Sequence, residues 1–111
     1  MGSKDWLGEF EQIVLLAVLR LGPDAYGFRV QQEIKERAGR DCSIGALYTT
    51  LDRLEQKGFV SSWMGEPTPE RGGRAKKYFK VEASGEAALR QSYAATTSMV
   101  AGMESLLGGA L

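Results

Sequence analysis

Histidine is absent from the 111-residue chain, and cysteine occurs once, as Cys42. The first absence removes the commonest general base and metal ligand; the second leaves neither an internal disulfide nor a cysteine-rich zinc site. Long apolar runs are also missing. The longest, residues 13–19, falls far short of the roughly 20 residues needed to span a bilayer, so no membrane association is expected. Lys4 and Asp5 precede that run and no small-residue cleavage site follows it, so no secretory signal is legible and a cytoplasmic location is expected. Net charge is lacking as well, because 14 basic residues balance 14 acidic ones. Any attraction to a polyanion must therefore come from the distribution of charge.

What is present fits one small domain with a single core: 43% of residues are hydrophobic and 25% charged. Residues 7–21 lack proline, are dominated by Leu, Val and Ile, and stop at Gly22-Pro23, which predicts a first helix. Its apolar residues surround it instead of forming a stripe. Such a helix must be buried on all sides, and a chain this small is expected to need a second subunit to do so. Asp24 is a candidate cap for a second helix. There Tyr26, Val30, Ile34 and Ala38 recur at intervals of four, and Gly39 ends the pattern. Ser43 is the candidate cap of a third helix, in which Ile44, Leu47, Leu51 and Leu54 face the core and Gly58 ends the pattern.

After Gly58 the period changes. Residues 59–64 and 76–81 read as strands, joined by a Pro- and Gly-rich segment, 65–75, too long for a tight turn. Residues 83–107 read as a final helix, in which Leu89, Tyr93, Thr96, Val100, Met103 and Leu107 alternate in spacing between four and three, as in a coiled-coil seam. The alternative is an ordinary amphipathic helix packed on its own domain.

Three helices followed by a hairpin with an extended loop is the order of a winged helix-turn-helix, whose third helix enters the major groove. The fold class expected is thus mainly α with a small β-hairpin, organised as a DNA-binding unit over residues 1–82 and a dimerisation helix over 83–111. Charge agrees. Arg71, Arg74, Lys76, Lys77 and Lys80 fall between residues 71 and 81 with no acid among them, while the rest of the chain is net acidic. A basic hairpin on a neutral protein places phosphate contacts on one edge; the competing explanation is a solvated hairpin whose lysines discourage edge pairing. On the third helix, with the core residues turned inward, Ser43, Gly45, Ala46, Thr49, Thr50 and Arg53 remain on or near the outer face. Small residues let the backbone approach DNA, and hydroxyls reach phosphates or bases. Tyr48 reads equally as a half-buried core ring or as a phenol directed at a phosphate.

Several stretches resemble the PadR family of bacterial transcriptional regulators, in its short type with a single C-terminal helix. The likeness runs from about Leu7 to Leu89. It rests on Leu7-Gly8-Glu9-Phe10-Glu11, on Asp24-Ala25-Tyr26-Gly27, on the segment from Ser43 to Glu55, and on Gly72-Gly73-Arg74-Ala75-Lys76-Lys77-Tyr78-Phe79. The resemblance implies a homodimer that binds a palindromic operator, usually as a repressor. It assigns DNA contacts to Tyr26, Ser43, Gly45, Ala46, Tyr48, Thr49 and Arg53, and wing contacts to Arg71, Arg74, Lys76 and Lys77. For Tyr26 the other reading is packing between the first two helices. The dimer interface implied comprises the first and last helices, through Leu7, Phe10, Val14, Leu89, Tyr93, Thr96, Val100, Met103 and Leu107. Some members hold flat aromatic effectors between tryptophans of the last helix. This chain has none there, so a pocket for a small hydrophobic effector would have to use Trp6, Tyr93, Met99 and Met103, the methionines otherwise filling core. Where the family commonly has Thr before that helix this chain has Glu82, which shifts the expected cap to Ser84.

Other classes fit less well. No nucleophile sits in a catalytic motif, the carboxylates are scattered, and Gly72-Gly73-Arg74 lacks the remainder of a phosphate loop, so no enzyme activity, metal or cofactor is expected. A winged-helix module that docks protein would make the basic hairpin superfluous. Cys42 lies beside the third helix's N-terminus, where a pKa lowered by the helix dipole would make it an oxidisable redox switch; the other reading is a small, half-buried apolar residue.

Overall fold

The computed structural model describes residues 6–66 and 75–108. Four helices and one hairpin follow in the expected order: α1 Glu9–Leu21, α2 Gly27–Ala38, α3 Ile44–Gln56, β1 Val60–Met64, β2 Lys77–Val81 and α4 Ala83–Val100. The first three helices and the inner face of the hairpin enclose the core. At 0% exposure lie Val14, Leu15, Val30, Leu47, Leu51, Leu54 and Phe79, which come from all of these layers except β1. Hydrophobic burial therefore ties the three helices and the hairpin to one nucleus.

Local chemistry sets the boundaries. Ser43 caps α3 as predicted, its Oγ accepting the Ala46 N–H at 3.0 Å. Asp24 does not cap α2. It closes a short 3-10 turn, Gly22–Asp24, and Tyr26 occupies the cap position with extended backbone and no side-chain cap bond. The reason lies beside the sheet: Phe79 N–H donates to Ala25 O at 2.9 Å and Tyr26 forms an isolated bridge to Tyr78, so the residues before α2 are held in extended form against β2.

Two assignments on α3 change places. Ile44 is 42% exposed, whereas Thr50 is 6% exposed and joins the inward face. Positions 44 and 50 both satisfy the helical period around Leu47 and Leu51, and the period alone does not choose between them.

The last helix is shorter than its apolar spacing suggests. It ends at Val100, and the chain turns through Gly102 at φ 87°, so Met103 and Leu107 lie beyond it. Glu82 takes the cap position without a side-chain cap bond and accepts instead from the Ser61 hydroxyl, while Ser84 donates to Gly58 O at 2.7 Å. Ser84 is thus a tie to the α3–β1 turn and not the cap. Gly85 is buried where α4 meets the hairpin, and a side chain there would overlap the Phe59 carbonyl. Ala88 and Ser92 keep α4 buried against the body for two more turns, and beyond Ser92 the helix leaves it. The radius of gyration, 15.5 Å, exceeds the about 13 Å of a compact chain of this length.

One ion pair ties α1 to the end of α3. Glu11, 8% exposed, accepts the Gly8 N–H at 2.9 Å and the Lys57 ammonium at 3.0 Å. Burial pushes its carboxyl up, but these bonds and the charges of Lys57 and Arg53 outweigh burial and hold it below its ordinary value of 4.5. A depressed carboxylate contributes stability above its unfolded pKa, and that contribution is lost as pH falls through the folded one. Glu11→Gln should therefore lower the melting temperature at neutral pH, and the difference from the wild type should close as the pH is taken below 4.5.

Candidate nucleic-acid interface

The exposed side of α3 carries a shallow, polar surface. Ser43, Gly45, Ala46, Thr49 and Arg53 are all exposed there, with the Ser43 hydroxyl also engaged in capping. Small side chains at the N-terminal turn leave the backbone N–H groups open to close approach, and the helix N-terminus favours an anion. Arg53 adds the cation, one turn before the end of the helix.

Tyr48 belongs to the structure beneath this surface. Its ring meets Phe79 at 6.1 Å between centroids. Its hydroxyl lies against Gly27, where any side chain would overlap it. Glycine at the start of α2 thus lets α2 and α3 close on each other, which sets the helix-turn-helix angle. Burial raises the Tyr48 phenol above its usual value of 10.0, so the hydroxyl stays protonated at neutral pH.

Tyr26 packs on the hairpin. Its ring meets Tyr78 edge-on at 5.4 Å, Tyr78 stacks on Trp63 at 5.8 Å, and the Lys76 ammonium lies 5.4 Å from the Tyr26 ring. The tyrosine before α2, the two strands and the first wing lysine therefore form one continuous surface. Lys77 sits on the other face, 5.7 Å from the Phe79 ring. Arg71 and Arg74 lie outside the described residues.

The implied dimer residues divide. Val14 is 0% and Leu7 8% exposed within the protomer, so both belong to its own core and offer almost nothing to a partner. Phe10 is half-buried under the Arg40 guanidinium, 5.0 Å from its ring centroid, and Leu89 is half-buried against the core. Tyr93, Thr96, Met103 and Leu107 are exposed, and Val100 is half-buried. The exposed apolar side of α1 is another one, through Leu16 and Leu19. There Ile13, Leu16, Ala17 and Ile34 line an apolar groove of about 220 Å³ between α1 and α2, rimmed by Glu33 and its partners Arg20 at 3.3 Å and Arg37 at 3.1 Å. Sequence pattern missed this stripe because an apolar helix offers two stripes of equal quality, and only packing distinguishes them.

The implied effector residues are not brought together. Met99 and Met103 line an open apolar groove of about 370 Å³ with Ala95, Val100, Leu106 and Leu107, but Trp6 and Tyr93 do not line it. Cys42 is half-buried, and burial pushes its thiol up, the reverse of the lowering expected from the helix dipole. Among the described residues no cluster of metal-ligating side chains occurs, and no helix is long and apolar enough to cross a membrane.

Known proteins share this arrangement. A PadR family regulator from Eggerthella lenta is 25% identical, with 89% of this chain and 86% of that one covered at a TM-score of 0.66. A PadR-like regulator from Bacillus cereus shares the fold at a TM-score of 0.68, with 16% identity over 88% of this chain and 90% of that one. An uncharacterized protein of Lysinibacillus sphaericus is 30% identical over 86 residues, 76% of this chain and 74% of its own. The family's members regulate transcription and are not enzymes. With the model of the PadR-like transcriptional regulator family matching residues 15–91 and the winged helix in place, the chain belongs to that family.

Proposed function

We propose that the protein is a homodimeric repressor that binds a palindromic operator, with α3 of each protomer in a major groove and the hairpin on the flanking backbone. The observation that carries this reading is the coincidence of an exposed, small-residue N-terminal turn on α3 with a hairpin that carries Lys76 and Lys77 at the end away from α4, with Lys80 nearer to it. Residues 1–82 serve as the DNA-binding unit and 83–111 as the dimerisation segment, although the helix of that segment ends at Val100. The exposed apolar side of α4 and the Leu16 stripe supply the dimer contact, and a small hydrophobic effector in the Met99–Met103 groove would act by changing the spacing of the two reading helices.

Spacing is the physical reason for a dimer, since two half-sites one helical turn apart are about 34–36 Å from centre to centre and one copy of α3 reads only one of them. Sedimentation analysis should give a dimer for the wild type. Leu16→Glu, which places a charge on an already exposed site, should shift the protein toward monomer with little change in helix content, and weaken DNA binding in parallel. A monomeric wild type, or a Leu16→Glu protein still fully dimeric, would count against this assembly.

A further inference from the structure

The inner face of the hairpin changes character along its length. Val60 pairs with Val81, Ser62 with Phe79 and Met64 with Lys77, and residues two apart on a strand share a face, so these side chains form one row of pairs. The first pair is core. At the second, Phe79 is fully buried and the Ser62 hydroxyl donates to Glu55 Oε2 of α3 at 2.9 Å. At the third the face emerges from the protein, and Met64 is 64% exposed. The face that packs on α3 thus ends in an uncovered thioether beside a cation.

Two further contacts locate that pair. Lys77 Nζ lies 5.7 Å from the Phe79 ring, and Phe79 in turn meets Tyr48, in the N-terminal half of α3. Lys77 therefore stands on the strand that meets the N-terminal half of α3, and Met64 follows Ser62 on the strand that meets its last turn, so the pair ends the hairpin face that packs along α3. On the opposite face Trp63 has its stack on Tyr78, which explains an exposed ring as a cross-strand pair. Among the described residues no such stack accounts for Met64.

We propose that Met64 is an apolar DNA contact, an inference that rests on the DNA-binding reading above. With α3 in the major groove, the thioether lies against deoxyribose and base edges where the hairpin crosses the adjoining minor groove, while Lys77 holds the neighbouring phosphate. A flexible, polarizable side chain suits an irregular groove wall. Apolar side chains at minor-groove edges partly unstack a base step and bend the duplex, which favours deformable pyrimidine–purine steps without reading a base.

The test uses the full chain and the duplex that the wild type selects from a randomised library. Fluorescence anisotropy over a series of salt concentrations should show Met64→Ala weakening binding about tenfold, with the salt slope unchanged because no phosphate contact is lost. Energy transfer between the duplex ends should report a smaller bend, and Met64→Leu should restore both. Lys77→Ala should weaken binding too, but with a slope shallower by about 2 per dimer. The melting temperature of Met64→Ala should match the wild type, since the side chain is exposed. Affinity within about twofold of the wild type, with an unchanged bend, would overturn the Met64 contact and leave DNA binding standing. A wild type that selects no duplex would overturn the DNA-binding reading itself.

Discussion

Replacing Lys76 and Lys77 together by alanine should lower DNA affinity about 10⁴-fold at moderate salt and make its salt dependence shallower by about 3 to 4. The magnitude follows from counterion release. Two cations on each of two protomers make four phosphate contacts, each contributing about 0.9 to the slope and about tenfold in affinity near 0.1 M salt. The fold should survive the change, because neither side chain lies in the hydrophobic core. Circular dichroism melting of the double variant beside its binding isotherm separates the two effects. A large loss of stability would mean that the lysines serve the hairpin, and an unchanged salt slope that they meet no phosphate.

Phe79→Ala should be the most damaging single change for folding. The ring is fully buried, meets Tyr48 of α3, and comes from the strand whose N–H at the same residue bonds Ala25 ahead of α2. Removing a buried aromatic ring costs about 3–5 kcal/mol, through lost transfer energy and the cavity left behind. That is a large part of the about 5–15 kcal/mol that holds a small domain together. Denaturant titration should place its midpoint far below that of the wild type. DNA affinity should fall with the folded fraction, because the same ring spaces the hairpin from α3. A midpoint near the wild-type value would mean that the hairpin is not part of the core.

Much of this arrangement was legible in the residues. Ser43 announces α3 by a side chain that can cap, and Gly39 and Gly58 announce ends, because such signals are local. The signals that failed depend on tertiary contacts. Nothing about Tyr26 as a residue type marks it as a helix start. It takes that place because the bridge to Tyr78 sets its backbone, and the two residues are far apart in sequence. The seam spacing continues past Val100, but spacing carries no information on whether the backbone remains helical, and the turn at Gly102 ends it. The face of α1 left open through Leu16 and Leu19 was hidden for a different reason: every face of that helix is apolar. Of the candidate DNA contacts, those on α3 could be read from type and period, whereas Met64 became visible only once the strand register placed it beside Lys77.

The central claim is that α3 and the basic hairpin read duplex DNA. Its most direct test is an anisotropy titration of the purified protein against its selected duplex and a scrambled one of equal composition, at several salt concentrations. Contact with about 6 to 10 phosphates per dimer predicts a slope of about −5 to −9 in log affinity against log salt, and the selected duplex should bind about 10³-fold or more above the scrambled one. Weak binding equal for both duplexes, with little dependence on salt, would contradict the account and point instead to a winged helix that docks another protein.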